Sequence, residues 1–128
     1  MDVVVYPIVI SYDPKEVEYP YFVEIPAVNG FTEGTSLEDA IKMAEDYIGS
    51  LSLSGKPMPK SVYTLPKADN GDTVTLVRVD LVKYKREHDN KLVKKTLTIP
   101  NYLNELGQEE GINFSALLTA ALKEKLHA

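Results

Sequence analysis

The first eighty residues show strand-like patterns on both sides of one helix-like pattern. Residues 3–11 are β-branched and aromatic, and residues 21–25 alternate apolar and polar side chains, so both segments predict strands. A short third strand begins at Phe31, and the alternation over 74–82 predicts a fourth. Residues 55–72 hold three prolines and two glycines and predict an irregular loop.

A helix is predicted between the third and fourth strands. Thr35 followed by Glu38 matches the capping-box pattern of a helix start. Apolar residues then recur at helical spacing: Leu37, Ala40, Ile41, Ala44, Ile48 and Leu51. The order β-β-β-α-β predicts an α+β domain over 1–82, with the helix on one face of the sheet. Because Pro7 cannot donate to a ladder, we expect the first strand at an edge or a bulge.

The pattern changes after a polar, charged connector over 83–93. Residues 94–99, with the sequence KKTLTI, predict a short strand. Pro100 is suited to open a helix, Gly111 to end it, and Asn113 to cap a second helix that runs to the C-terminus. The C-terminal part is therefore expected to be a strand followed by two helices.

This module over 94–128 is too small to be stable alone. Two short helices and one strand bury too little apolar area to offset the loss of chain entropy. A lone strand also leaves its backbone groups unpaired. Two copies that pair their strands antiparallel would satisfy both strands and share one core, formed by Leu97, Ile99, Leu106, Leu117, Leu118 and Leu122.

The other face of such a two-stranded ribbon is polar. Because alternate side chains of a strand face opposite sides, Lys94, Thr96 and Thr98 would point outward, from a ribbon slim enough for a major groove. Lys95 would attract phosphate, and the last helix offers free amides at Asn113, Phe114 and Ser115. In an alternative arrangement, residues 94–99 pair with the first domain and the helices pack on them.

Charge is unevenly distributed over a net charge of -5. Residues 1–82 contain six basic and thirteen acidic side chains, a net of -7, whereas residues 83–128 contain eight basic and six acidic ones, a net of +2. An acidic front and a locally basic back suggest two binding faces, although chance unevenness would give the same counts.

Little in the sequence favours metal or redox chemistry. With no Cys there is no disulfide or thiolate site, and neither His88 nor His127 lies in a ligand spacing. No hydrolase, phosphate-loop or dinucleotide motif occurs. We therefore expect no catalytic residue, no metal and no cofactor. Four carboxylates on the first helix could form a metal cluster, but a solvated helix face is favoured: Glu38, Asp39, Glu45 and Asp46.

The N-terminus favours an unexported protein. Asp2 stands where a signal peptide would carry a basic residue, and Pro7 interrupts the apolar run. No segment approaches the roughly 18 apolar residues of a membrane span. We expect a soluble cytoplasmic protein with no membrane partner.

Several segments, taken in order, resemble HicB antitoxins of bacterial HicAB toxin–antitoxin systems. The first half carries YPIVI, YFVEIPAVNGFTEGTSLEDAIKMAEDYI and VTLVRVDL, and the second half carries TIP, a leucine-patterned helix and GINFS. TIP or GINFS alone would be weak, but the succession covers almost the whole chain. Gly107 departs from the family, which more often has Ala inside this helix, at a cost of roughly 1 kcal/mol.

The resemblance implies a function for each half. In this family a partly degraded, RNase H-like α+β domain without nuclease activity masks a small basic mRNA-cleaving toxin of the HicA type, which uses a His. A C-terminal ribbon-helix-helix module dimerises, binds operator DNA and represses the operon. Some members carry a helix-turn-helix instead, but KKTLTIP favours the ribbon form. By position, Lys94, Thr96 and Thr98 would meet bases, and residues 113–115 would meet phosphate.

The expected partners are thus a toxin, operator DNA and a second copy of this chain. Assembly of two such dimers into a tetramer is also open. The acidic first domain would steer a basic toxin by charge, with candidate residues Glu16, Glu18, Glu24 and Glu33. Two other functions stay open. One is a repressor whose first domain senses a small molecule, and the other is a Mg²⁺ enzyme that uses the helix carboxylates.

Overall fold

The computed structural model describes residues 2–128, which form two compact units. The first unit ends at Asn90, and the second is Lys91–Ala128. The first contains β1 (Val3–Tyr12), β2 (Tyr21–Ile25), a 3-10 helix (Pro26–Val28), β3 (Gly30–Gly34), α1 (Leu37–Ser52), β4 (Thr73–Asp80) and α2 (Leu81–Glu87). The second contains α3 (Asn101–Glu109) and α4 (Phe114–Leu126). None of the described helices is long and apolar enough to cross a bilayer.

The first unit is a four-stranded antiparallel sheet with the order β3-β2-β1-β4, which confirms the predicted α+β class. One face of this sheet packs against α1. Its core consists of Val4, Tyr6, Ile8, Ile10, Val23, Ile25, Ala40, Ala44, Ile48, Val77 and Val79. The alternation that predicted the strands also sets which side chains are buried, since successive residues point to opposite faces.

The first strand is not at the edge of the sheet, so the interpretation of Pro7 needs correction. β1 lies between β2 and β4, yet its ladder with β2 begins only at Val9. The backbone groups of Val5 point away from β4. The Val5 amide donates to Ser61 Oγ at 3.0 Å, and the Val5 carbonyl accepts from the Val62 amide at 2.9 Å. Pro7 faces the same side as Val5, because backbone polarity alternates along a strand. Its missing N–H therefore falls where no strand needs it.

The start of α1 lies one residue later than the predicted cap. Ser36, not Thr35, is the N-cap, and its hydroxyl accepts from the Asp39 amide at 3.0 Å. The Asp39 carboxylate in turn accepts from the Thr35 amide at 2.8 Å. The sequence contains two overlapping cap patterns, and the structure uses Ser36 with Asp39 instead of Thr35 with Glu38.

The predicted connector over 83–93 begins with a helix that belongs to the first unit. Asp80 caps α2 by accepting from the Lys83 amide at 3.0 Å. Tyr84 lies against Gly49 of α1, where a Cβ would overlap its ring, and its hydroxyl donates to Asp46 Oδ1 at 2.7 Å. Sequence reasoning missed this helix because most of its residues are charged or polar. The contact of Tyr84 with α1 holds it in place, and no local pattern reveals that contact.

We expect Tyr84→Phe to weaken the docking of α2, because it deletes the hydrogen bond to Asp46. The cost should be about 1 kcal/mol at neutral pH, measured by urea unfolding. Burial, followed by the bond to Asp46 and its charge, raises the pKa of Tyr84 to about 12. Because the pKa of Tyr84 is higher in the folded than in the unfolded chain, the shift adds to the free energy of unfolding. This contribution is fully present below pH 10.0, the ordinary pKa of tyrosine, and is lost as the pH rises to about 12.

The variant should therefore lose less stability than the parent over that alkaline window. Tyr63→Phe is the matched control, because Tyr63 is 69% exposed. Identical alkaline profiles for Tyr84→Phe and the parent chain would contradict the role of this hydroxyl.

Candidate functional site

The turn between α3 and α4 is fixed by backbone hydrogen bonds around one glycine. Gly111 has a φ of 69°, a left-handed conformation that suits glycine. The Ile112 amide donates to the Gly107 carbonyl at 2.9 Å, and the Gly111 amide donates to the Gln108 carbonyl at 3.1 Å. This pair of bonds is a Schellman motif, which ends α3 where the sequence predicted.

The start of α4 combines a side-chain cap with free amides. Asn113 Oδ1 accepts from the Ala116 amide at 3.0 Å, so the predicted cap is confirmed. Within the described chain, the Phe114 and Ser115 amides have no acceptor. Two N–H groups at the positive end of a 13-residue helix can therefore bind an oxyanion such as phosphate.

Phe114 also packs within the second unit. Its ring covers Gly107 of α3, where an added Cβ would lie 2.5 Å from Phe114 Cζ. The glycine that looked unfavourable in the sequence thus has a packing reason, since any larger residue would displace this ring. Only the Phe114 amide, not its side chain, remains suited to the predicted phosphate contact.

We expect Gly107→Ala to destabilise the second unit despite the better helix propensity of alanine. Propensity favours alanine by about 1 kcal/mol, but the tip of the Phe114 ring would have to leave its contact with α3, and we expect this loss of packing to outweigh the gain. Thermal unfolding at a fixed protein concentration should show the loss. In a Phe114→Leu background, the same substitution should become neutral or stabilising. A stabilising effect with Phe114 in place would contradict the packing role.

The predicted dimer-core residues share one property in the single chain, which is exposure. Leu97 is 54% exposed and Leu117 is 57% exposed, and only Leu118 is half-buried among the six: Leu97, Ile99, Leu106, Leu117, Leu118 and Leu122. In this unit Gly107 alone is fully buried. One copy therefore leaves most of its apolar surface in water, which is costly for a folded unit.

Residues 94–99 form no strand in the single chain. The predicted outward residues and the predicted core residues of this segment are all exposed, as is Lys95. Within the described residues, the sheet of the first unit consists of β3, β2, β1 and β4. A ladder needs a second strand, and one chain does not supply it. The ribbon therefore stays a prediction that depends on a second copy.

The four predicted toxin-binding carboxylates occupy two neighbouring places. Glu24 and Glu33 lie on the face of the sheet away from α1, whereas Glu16 and Glu18 lie in the loop between β1 and β2. The negative charge of Glu18 and a hydrogen bond to it raise the pKa of Tyr19, and Glu33 and Asp39 act in the same direction. The loop and the end of β3 therefore share one negative region.

Sequence reasoning missed two aromatic residues in this region. Phe22 and Phe31 are exposed on the same face, and their rings stack with centroids 5.6 Å apart. The sequence contained the information needed to find them. Each phenylalanine lies two residues before a glutamate on the same strand, so the two side chains share one face of the sheet.

Two of the carboxylates of α1 make separate contacts of their own. Asp39 completes the helix cap, and Asp46 accepts from Tyr84. Across residues 2–128, no group of three or more potential ligands converges. The interpretation of these carboxylates as separate surface groups fits this arrangement better than a nuclease cluster.

Two solved structures resemble this chain over nearly its full length. A chain titled "Toxin-Antitoxin complex from Streptococcus pneumoniae" is 28% identical, with a TM-score of 0.56, and the match covers 96% of this chain and 99% of that one. The Burkholderia pseudomallei antitoxin HicB is 22% identical, with a TM-score of 0.50 and coverage of 97% of each chain. No family model and no curated protein matches. The fold-level comparison confirms the resemblance to HicB antitoxins.

Proposed function

We propose that this chain, which has the fold of a HicB antitoxin, neutralises a small basic HicA-type toxin and represses its own operon as a dimer. The neighbour from Streptococcus pneumoniae comes from a toxin–antitoxin complex, which supports a toxin partner for this chain. Each activity is assigned to one unit. The acidic first unit would bind the toxin, and the second would bind operator DNA through a ribbon-helix-helix dimer.

The observation that carries the DNA-binding half is the exposure of the second unit. Leu97, Leu117 and Leu122 are each about half exposed or more in one copy. Pairing two copies of residues 94–99 would form an antiparallel ribbon and bury these leucines between four helices. The ribbon would then present Lys94, Thr96 and Thr98 to base edges.

Phosphate contacts would hold this ribbon in register on the DNA. The free amides of Phe114 and Ser115 begin α4, and Lys95 adds a positive charge beside the ribbon. Contacts of this kind position a protein without reading sequence. Affinity for operator DNA should consequently fall as salt is raised.

The experiment is co-expression with the product of the adjacent gene, which the proposal expects to be a small basic protein, followed by a gel shift on the upstream DNA. Rescue from toxicity together with a specific shift supports both activities. A shift without rescue would remove the toxin-binding half and favour a ligand-responsive repressor. Rescue without a shift would remove the operator-binding half.

A further inference from the structure

Helix α1 covers only one face of the sheet, and the other face carries an unusual set of side chains at β2 and β3. Phe22 is 47% exposed and Phe31 is 55% exposed, although their rings stack on each other. The antiparallel register places Phe22 opposite Glu33 and Phe31 opposite Glu24. Two aromatic rings and two carboxylates therefore alternate on one surface, which we call the Phe–Glu patch.

Neither carboxylate of the Phe–Glu patch is neutralised by the chain itself. Within residues 2–128, Glu24 and Glu33 have no lysine or arginine at ion-pair distance. Residues directly opposite in an antiparallel pair have Cβ atoms about 4.5–5.5 Å apart, so each glutamate side chain begins next to a phenylalanine side chain. Unpaired negative charge beside exposed aromatic rings favours a cation with a flat, delocalised group.

We propose that the Phe–Glu patch is the docking surface for an arginine side chain of the basic protein partner. A guanidinium can lie flat on an aromatic ring and at the same time donate paired N–H bonds to a carboxylate. A lysine ammonium lacks this flat fork and is more strongly hydrated. This inference rests on the proposed toxin partner and specifies where and how it is bound.

The charge of the first unit disfavours other occupants. Residues 1–90 contain nine basic and fifteen acidic side chains, a net charge of -6, so a second copy brought face to face at this patch would meet like charge. Nucleic acid would meet the same repulsion. A positively charged protein surface is the occupant that the patch complements, and the nearby loop with Glu16 and Glu18 extends the attraction.

The test measures binding of the full chain to the product of the adjacent gene, which the proposed function expects to be a small basic protein. Glu24→Gln with Glu33→Gln removes two charges and keeps side-chain shape, and Phe31→Leu keeps apolar area but removes the ring. We expect each variant to weaken binding more than about tenfold, as expected for central anchor residues. The matched control is Glu38→Gln with Glu45→Gln, which removes two exposed charges from α1 and should change binding less than about threefold.

A second arm identifies the partner group. Arginines of the basic protein are changed singly to lysine, and one of these changes should lose its effect when combined with Phe31→Leu. Equal weakening by both glutamine pairs, or no arginine coupled to Phe31, would overturn the patch while leaving the proposed function intact. Failure of the unaltered chain to bind the basic protein would instead remove the proposed function. An unchanged circular dichroism spectrum and an unchanged melting temperature report that the first unit of each variant is folded.

Discussion

Leu97→Lys should convert the proposed dimer of this chain into a monomer. Leu97 lies in a segment with no strand partner in one copy and is expected to enter the core that two copies share. A lysine there would place a charged group in an apolar interface at a cost of several kcal/mol. Analytical ultracentrifugation at micromolar concentration should show a rise in the dimer dissociation constant of more than about 100-fold.

Leu92→Lys provides the matched control. Leu92 is 95% exposed and precedes the predicted ribbon, so it lies outside the expected dimer core. The same chemical change there should leave the dimer intact. A parent chain that is monomeric at micromolar concentration, or a Leu97→Lys variant that dimerises like the parent, would show that the second unit is stable by other means.

The largest effect on DNA binding is expected from removing the outward side chains of the ribbon. A triple variant with Lys94→Ala, Thr96→Ala and Thr98→Ala should lose sequence-specific binding to operator DNA, because each good base contact contributes about 1–3 kcal/mol of discrimination. The dimer should persist, since none of the three side chains faces the predicted core. Gel shifts with operator and scrambled DNA, together with ultracentrifugation, measure both properties.

Lys95→Ala separates phosphate attraction from base reading. It should weaken operator and scrambled DNA similarly and lower the salt dependence of binding by about one charge. The distinction would fail if the triple variant lost affinity equally for both DNAs. In that case the ribbon residues would act only by charge or shape, and the base-reading role would move elsewhere.

Much of the first unit follows from local pattern. Period-two alternation located β2 and β4, β-branched and aromatic composition located β1, and the buried set Ala40, Ala44 and Ile48 follows the helical spacing. Gly111 and Asn113 fix the turn of the second unit as their chemistry indicates. In each of these cases the deciding interaction lies within a few residues of the chain.

Sequence-based predictions went wrong, or missed a feature, where the structure depends on a residue far away in the chain. Pro7 is tolerated inside the sheet because β2 reaches only part of β1, which no local pattern reveals. Helix α2 exists because Tyr84 meets Gly49 and Asp46, 35 and 38 residues away. The Phe–Glu patch depends on the register between β2 and β3. Residues 94–99 have no regular structure in the single chain, and the proposed ribbon would need a second molecule.

The segment beside β1 also has a consequence for solubility. Ser61 Oγ accepts from the Val5 amide, and the Val62 amide donates to the Val5 carbonyl. The Tyr6 hydroxyl donates to the Pro59 carbonyl at 2.5 Å. Without this segment, a β-branched stretch would present open backbone groups, which template strand addition and aggregation. The proline-containing loop therefore covers the part of β1 that β2 does not reach. Shortening the loop should promote self-association of the first unit before it destabilises the core beneath α1.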